Sequence, residues 1–330
     1  MKSMHVLVVA VIITVVSFVL TVLEQAQKSP PTQTQSAVSA EQQVSAPGSV
    51  AQIAKRLSEL ESKDLDKGIA GNFPEARQHL SDALTISPHD TPVKQRLRIA
   101  DDVLAGRIQR KAAIRLFQAA SHGAKETWDK AVDAAREAIA IEPRYAEGYI
   151  ILAASYAQKS MIDEAIAASE RAISFASAKP VVALAHGNLG LEYAAKGMLD
   201  KALEESNQAV SLDPDLAEAH VTIGQVYIRR GKQTEAIAAL EKSIAINPYV
   251  ALPYAAIANA YSLMGKQDQA LTALKMAVTI DPQSGAAHNN LAVLYYNKGD
   301  DKSAIMHLDR AVELGYQVNP QLVEALRPRR

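Results

Sequence analysis

Cysteine is absent from all 330 residues. That excludes a disulfide scaffold, a thiol nucleophile, a zinc ribbon and a lipid-modified cysteine together. Aromatic residues are scarce, at 5 % of the chain with a single Trp, so a sheet core rich in large rings is not expected. An excess of either charge is missing too, since 35 basic residues stand against 36 acidic ones for a net charge of −1. A protein that grips nucleic acid by general phosphate neutralisation needs a basic surplus, and none exists here. What the chain has in quantity is alanine. Its 58 alanines, within a hydrophobic content of 48 %, suit helices whose backbones approach closely. The length fits two or three domains, or one array of repeats.

Residues 6–23 form an apolar run with no charge, Gly or Pro. As a helix at ~1.5 Å per residue the run reaches about 27 Å, close to the ~30 Å hydrocarbon layer. A removable signal peptide has a shorter apolar stretch and a small-x-small cleavage site. Here Glu24 occupies the place of one small residue, and only Ala26 is small. Residues 1–28 are therefore expected to be an uncleaved membrane anchor, with a cleaved leader as the alternative. Lys2 and the N-terminal amine on the short side, against Glu24 and Lys28 on the other flank, give the expectation of a cytoplasmic N-terminus with the rest outside, as a single-pass protein with an extracytoplasmic (in a bacterium, periplasmic) domain. Residues 29–50 are rich in Gln, Ser, Thr and Pro without helical or strand periodicity, and are expected to be a flexible linker.

A period of 34 residues runs through the remainder, set by Pro214, Pro248 and Pro282. Pro143 joins the frame once an insertion at residues 180–182 is allowed. The units are 112–145, 146–179, 183–216, 217–250, 251–284 and 285–318. The eleventh place holds Tyr156, Tyr193, Tyr227, Tyr261 and Tyr295, and the twentieth holds Ala131, Ala165, Ala202, Ala236, Ala270 and Ala304. The turn between holds Gly197, Gly231, Gly265 and Gly299, with Ser160 in an earlier unit. The eighth place is small throughout, as Ala153, Gly190, Gly224, Ala258 and Ala292. Mechanically, two helices of about a dozen residues meet at small side chains, turn at Gly, and stop at Pro. This pattern resembles the tetratricopeptide repeat family over residues 146–318, and in its second helix only over 112–145. The resemblance implies an all-α fold, a right-handed helical-repeat solenoid of antiparallel helix pairs, here preceded by the single transmembrane helix and linker.

An eroded copy comes first. Gly71 to Ala76, then Leu80, Ala83, Ile86 and Pro88, carries the second-helix pattern. Residues 91–104 read as an extra helix with Thr91 as its cap and Pro92 in its first turn. The domains are thus 51–111 as a degenerate repeat region, 112–318 as the array, and 319–330 as a capping helix and tail. How the helices between 89 and 123 pair is not readable.

Three tempting groupings have plain readings. His186, His220 and His288 share the fourth place with Tyr149 and Tyr254, so they repeat one thickness apart as packing residues, not as ligands to a shared metal. Gly231-Lys232 and Gly265-Lys266 lack the rest of a phosphate loop. Seven basic residues between Lys94 and Arg115 read as a solvated helix face, with an anionic partner as the alternative. No nucleophile-elbow, zinc-protease or calcium-loop motif occurs, so no enzyme, cofactor or small-molecule substrate is expected, although a site hidden in 51–123 stays open.

The family resemblance implies that the first helix of each unit lines a concave groove for a protein or peptide partner. Carried over, its places include Glu147, Leu191, Glu218, Leu252, Ala255 and Leu263. The candidate partner-binding set is Asn188, Gln225, Arg229, Asn259, Asn289, Asn290 and Asn297. Asn259 and Asn290 match the two asparagines of a carboxylate clamp, but Ala255 stands where that clamp has Lys. Asn188 and Asn290 match places that bond a bound peptide's backbone, a task suited to amides, which donate and accept.

Overall fold

A computed structural model describes residues 47–327. The expected anchor at 1–28 and most of the linker lie outside those residues. No described helix is long and apolar enough to cross a membrane. The described chain is all-α, with sixteen helices and no strand. Helix α1 (Pro47–Ile69) pairs with α2 (Phe73–Ile86), and α3 (Thr91–Leu104) follows. Then come the pairs α4 (Arg110–Ala124) with α5 (Trp128–Ile141) and α6 (Ala146–Gln158) with α7 (Ile162–Phe175). They continue as α8 (Lys179–Ala195) with α9 (Leu199–Leu212) and α10 (Ala217–Arg229) with α11 (Gln233–Ile246). The last are α12 (Ala251–Leu263) with α13 (Gln267–Ile280) and α14 (Gly285–Asn297) with α15 (Asp301–Glu313), closed by α16 (Pro320–Leu326). Each second helix packs on the first helix of the next unit, which makes a solenoid of helix pairs.

Close approach inside each pair follows from the small residues. All six alanines of the twentieth place are 0 % exposed. A Cβ added at Gly190 would sit 2.2 Å from Ser206 Oγ, and one at Gly224 would sit 2.6 Å from Leu240 Cγ. The turn between the helices is left-handed in every unit of the array, including Gly197 at φ +83° and Gly231 at φ +71°. Two units do this without glycine, using Glu126 at φ 54° and Ser160 at φ 59°. Behind the turn, the sixteenth residue donates its N–H to the carbonyl of the eleventh, as in Met198 N to Tyr193 O at 2.9 Å and Lys266 N to Tyr261 O at 2.9 Å. This closes the helix end that the turn would otherwise leave open.

Between units, two devices recur. The fourth-place ring donates to the carbonyl of the proline six residues before it. Tyr149 Oη bonds Pro143 O at 2.9 Å, Tyr254 Oη bonds Pro248 O at 3.2 Å, and His220 Nε2 lies 3.1 Å from Pro214 O. His288 Nε2 does likewise with Pro282 O at 3.3 Å, while His186, whose unit follows the insertion, pairs with Glu205 at 2.7 Å instead. A cation at the fourteenth place also reaches an acid opening the second helix of the preceding unit. The pairs are Lys159 with Asp129, Lys196 with Asp163, Arg230 with Asp200 and Lys298 with Asp268. Their carboxylates are exposed, so they set register more than stability. The junction between α11 and α12 lacks the pair, since Thr234 and Met264 hold those places.

The N-terminal region departs from expectation at two points, and its extra helix at 91–104 forms as expected. Helix α1 starts at Pro47, inside the segment expected to be linker, because Pro suits a first turn and Val50 is already buried. The cap of α3 is Asp90, whose carboxylate accepts from Val93 N at 3.0 Å, and not Thr91. Helix α3 is unpaired, lying between α2 and α4, which leaves the pairs α1–α2 and α4–α5 intact. At the far end Leu322 and Leu326 of α16 bury against Ala292, Ala304 and Leu308, covering the last pair.

Two measurements check this account. Left-handed backbone costs a non-glycine residue ~1 kcal/mol or more. Ser160→Gly is therefore expected to raise stability by up to about 1 kcal/mol in urea unfolding, whereas Gly197→Ala should lower it. Glu192 is 1 % exposed with no cation beside it, its Oε1 accepting from Ser169 Oγ at 2.9 Å. Burial pushes its carboxyl up to about 7. Because the folded state holds this proton more tightly, its contribution is full below the ordinary carboxyl value and fades as pH rises toward 7. The loss is about 3 kcal/mol at ~1.4 kcal/mol per tenfold change in proton affinity. Glu192→Gln should remove that pH dependence, so its stability relative to wild type should rise between pH 5 and pH 8. Equal urea midpoint differences at both pH values would show that Glu192 does not bind its proton this way.

Candidate functional site

The first helices α6, α8, α10, α12 and α14 carry the expected groove places, and the structure divides them into two halves. The upstream half is taken by the chain itself. Arg98 of α3 pairs with Glu147, and Gln95 donates to its other oxygen at 2.9 Å, leaving Glu147 3 % exposed. Thr91 Oγ1 donates to Glu218 at 2.9 Å, and His89 lies 3.7 Å from Asp215. Tyr145 Oη donates to Asp102 at 2.6 Å. Glu147 and Glu218, expected to face a partner, are instead the seats of α3.

Helix α3 is in turn fastened to α1. Arg96, 7 % exposed, donates Nε and Nη2 to the two oxygens of Asp64 at 3.0 and 3.1 Å, with Glu61 at 3.2 Å. Burial drives Asp64 up to about 7 and also raises Glu61 and Asp90, although Arg96 draws all three back down. Helix α1 then reaches across to α13. Ala54 and Leu57 share a cavity of about 700 Å³ with Tyr249, Leu252 and Ile280. The basic stretch from Lys94 to Arg115 is thus a solvated face only in part, with Arg107, Arg110 and Lys111 exposed. Arg96 and Arg98 are used as above, Arg107 pairs with Asp102, Arg110 donates to Gly71 O at 2.6 Å, and Arg115 pairs with Glu137.

The downstream half is open. A cavity of about 720 Å³ lies along α10, α12 and α14, and it brings together Gln225, Arg229, Asn259, Asn290 and Asn297. Asn188 and Asn289 are not in its lining. Asn188 Nδ2 is buried without a bond among the described residues. Asn289 turns aside, its Nδ2 reaching Asn290 Oδ1 at 3.5 Å and its Oδ1 buried. Gln267 and Ser262 also line the cavity. Gln267 escaped the sequence reading because it opens a second helix, next to the Gly265 turn, where no groove place is assigned.

The chemistry of the open half is sparse. Apolar side chains face solvent there, with Leu252 54 % and Val293 37 % exposed. Arg229 is the single charged residue lining the cavity, and its Nη1 donates to Ala194 O. Ala255, at the place of the clamp lysine, lies in the lining, so the two asparagines have no ammonium beside them. Among the described residues no group of three or more His, Asp or Glu could hold a metal ion. The groove offers amides, apolar surface and one guanidinium. It can bind, and its lining contains no acid and base set for reaction.

Comparison with known proteins agrees with the geometry. Three tetratricopeptide repeat models match, the first over residues 190–231 and 258–299, another over 217–249 and a third over 285–314. No curated protein matches the chain. Among solved structures, the hetero-tetramer of the APC/C proteins Cut9 and Hcn1 is similar at 20 % identity and a TM-score of 0.58. The match covers 78 % of this chain and 52 % of that one, so this chain spans about half its length. A thermophilic repeat protein of Thermus thermophilus is similar at 21 % identity, with 56 % of this chain and 99 % of that one covered and a TM-score of 0.49. The MamA crystal structure is similar at 27 % identity, covering 50 % and 94 %, with a TM-score of 0.41. The chain carries tetratricopeptide repeats on an all-α helical-repeat solenoid.

Proposed function

We propose that this protein is a membrane-tethered scaffold that binds another protein through the open half of its concave groove. Tetratricopeptide repeats act as scaffolds for protein–protein interaction, and the reading rests on one observation above the others. The cavity along α10, α12 and α14 exposes apolar side chains and amides that nothing else in the described chain covers. The apolar run at residues 6–23 supports the tether, and the charges flanking it support an extracytoplasmic array.

The groove is tested by photocrosslinking the full chain in membranes from a crosslinker placed at Asn259. A discrete partner adduct is expected, and it should disappear with Ala255→Trp, which fills the groove floor. Persistence of the same adduct in that variant would place the partner elsewhere. The tether is tested on the same preparation. Carbonate extraction should leave the protein in the membrane pellet, and N-terminal sequencing of the mature chain should begin at the start rather than near Gln27 or Glu41.

A further inference from the structure

Within a repeat, the fourth place on the first helix faces the twenty-third place on the second. Four units hold a small residue at the twenty-third place, as Ala134, Ala168, Ala239 and Ala273. The other two hold an ionisable residue there, and in both it meets a fourth-place histidine. Glu205 Oε2 lies 2.7 Å from His186 Nδ1, whereas His307 and His288 set their two Nδ1 atoms 2.9 Å apart. A proton added to the first pair joins a cation to a carboxylate. Protons added to the second bring like charges together.

The surroundings fix how many protons the second pair can hold. His288 is 7 % exposed, and its Nε2 lies 3.3 Å from Pro282 O, an acceptor, so that nitrogen carries a hydrogen. Neutral His288 therefore presents a bare Nδ1, and the one hydrogen between the rings belongs to His307 Nδ1. Protonating His288 would set two N–H groups against each other across 2.9 Å. Protonating His307 at its outer nitrogen would place a cation near others. Lys275 of α13 acts on His307 and Arg310 of α15 acts on His288, with Asp281 before the proline turn as the opposing carboxylate. The Tyr295 ring of α14 stacks on His307 with centroids 5.5 Å apart, and Lys275 Nζ lies 5.8 Å from that ring. Burial, then His288 and Lys275, push His307 down to about 4, and burial lowers His288 as well.

The pair also sits where it can act on the groove. His288 lies on α14, and Asn290, Val293 and Asn297 of the same helix form the downstream wall of the open cavity. His307 lies on α15 between Ala304 and Leu308, both fully buried in the cluster that α16 covers. Resting on the groove as the partner site, we propose that the His288–His307 pair is an acid-operated release. On acidification the two rings repel, α14 parts from α15, and the wall withdraws from the bound partner. The folded pair holds protons less tightly than an unfolded chain does. Its contribution is therefore full above the ordinary histidine value of 6.5 and is lost as pH falls toward 4.

The test is hydrogen–deuterium exchange of the purified full chain at pH 7 and pH 5, with labelling times scaled for the intrinsic pH dependence of exchange. Peptides from residues 285–326 should show an opening equilibrium about twentyfold larger at pH 5. Peptides from residues 183–216, which hold the His186–Glu205 pair, should open no further. His307→Ala restores the residue of four sister units and His307→Glu copies the His186–Glu205 pair, so both variants should fold and both should abolish the response. In membranes, the partner adduct from a crosslinker at Asn259 should be lost at pH 5 in wild type and kept in His307→Glu. Equal opening at both pH values, or an undiminished response in His307→Glu, would overturn the switch. An adduct that survives pH 5 in wild type, or is lost in both proteins, would overturn the release and leave the groove standing. No adduct at either pH would remove the groove reading and the release with it, while exchange, which needs no partner, still reports on the pair.

Discussion

Two helix backbones can lie close together only where the side chains between them are nearly absent. In each repeat that condition is met at the eighth place, by Gly or Ala, and at the twentieth, by an Ala that is fully buried in all six units. The rest of the architecture follows from it. A short interhelical distance leaves little volume to fill, so Leu, Ser and Ala suffice where a sheet protein would need rings. It also forces a tight reversal between the helices, and the left-handed turn supplies it, at a conformational cost in the two units that lack Gly. A core of this kind stacks indefinitely, so its ends need covers. Helix α16 provides one, burying Leu322 and Leu326 over the last pair.

The N-terminal helices serve a different purpose from the array they resemble. Helices α1 and α2 pair like a repeat, but α3 breaks the alternation and lies against the groove places of two later units. The polar contacts that seat it join residues 49 and 127 positions apart, through Arg98 to Glu147 and Thr91 to Glu218. The ion pair fastening α3 to α1 is buried, and loss of either partner would leave an uncompensated charge inside the protein. A carboxylate is held here against its solvation preference, with Asp64 fully buried and pushed up by that burial.

Much of this was readable in the chain. The 34-residue period gives the helix pairs, their turns and the buried alanines, because each mark is local and repeats. The groove places followed from the family frame, and five of the seven candidate residues line one cavity. Asn188 and Asn289 do not, because a place in the frame sets the direction of Cβ and not the rotamer that packing selects. The position of α3 had no local signal. Its cations Arg96 and Arg98 looked like a solvated face because their partners, Asp64 and Glu147, lie on other helices. Glu126 hid its left-handed turn for a similar reason, since a glutamate is uncommon at such φ values.

Where charge is placed separates the two faces of the solenoid. The inter-unit pairs, from Lys159–Asp129 to Lys298–Asp268, hold cations of first-helix ends against acids of the preceding second helices. The α3 contacts use up Glu147 and Glu218 on the upstream face. Neutralising charge in these two ways leaves the downstream groove with Arg229 alone. The near-zero net charge of the chain is thus not an even scatter. Opposite charges are matched where units must keep register and where the N-terminal helices must stay put. A single guanidinium with no carboxylate beside it then stands in a surface of amides and apolar side chains.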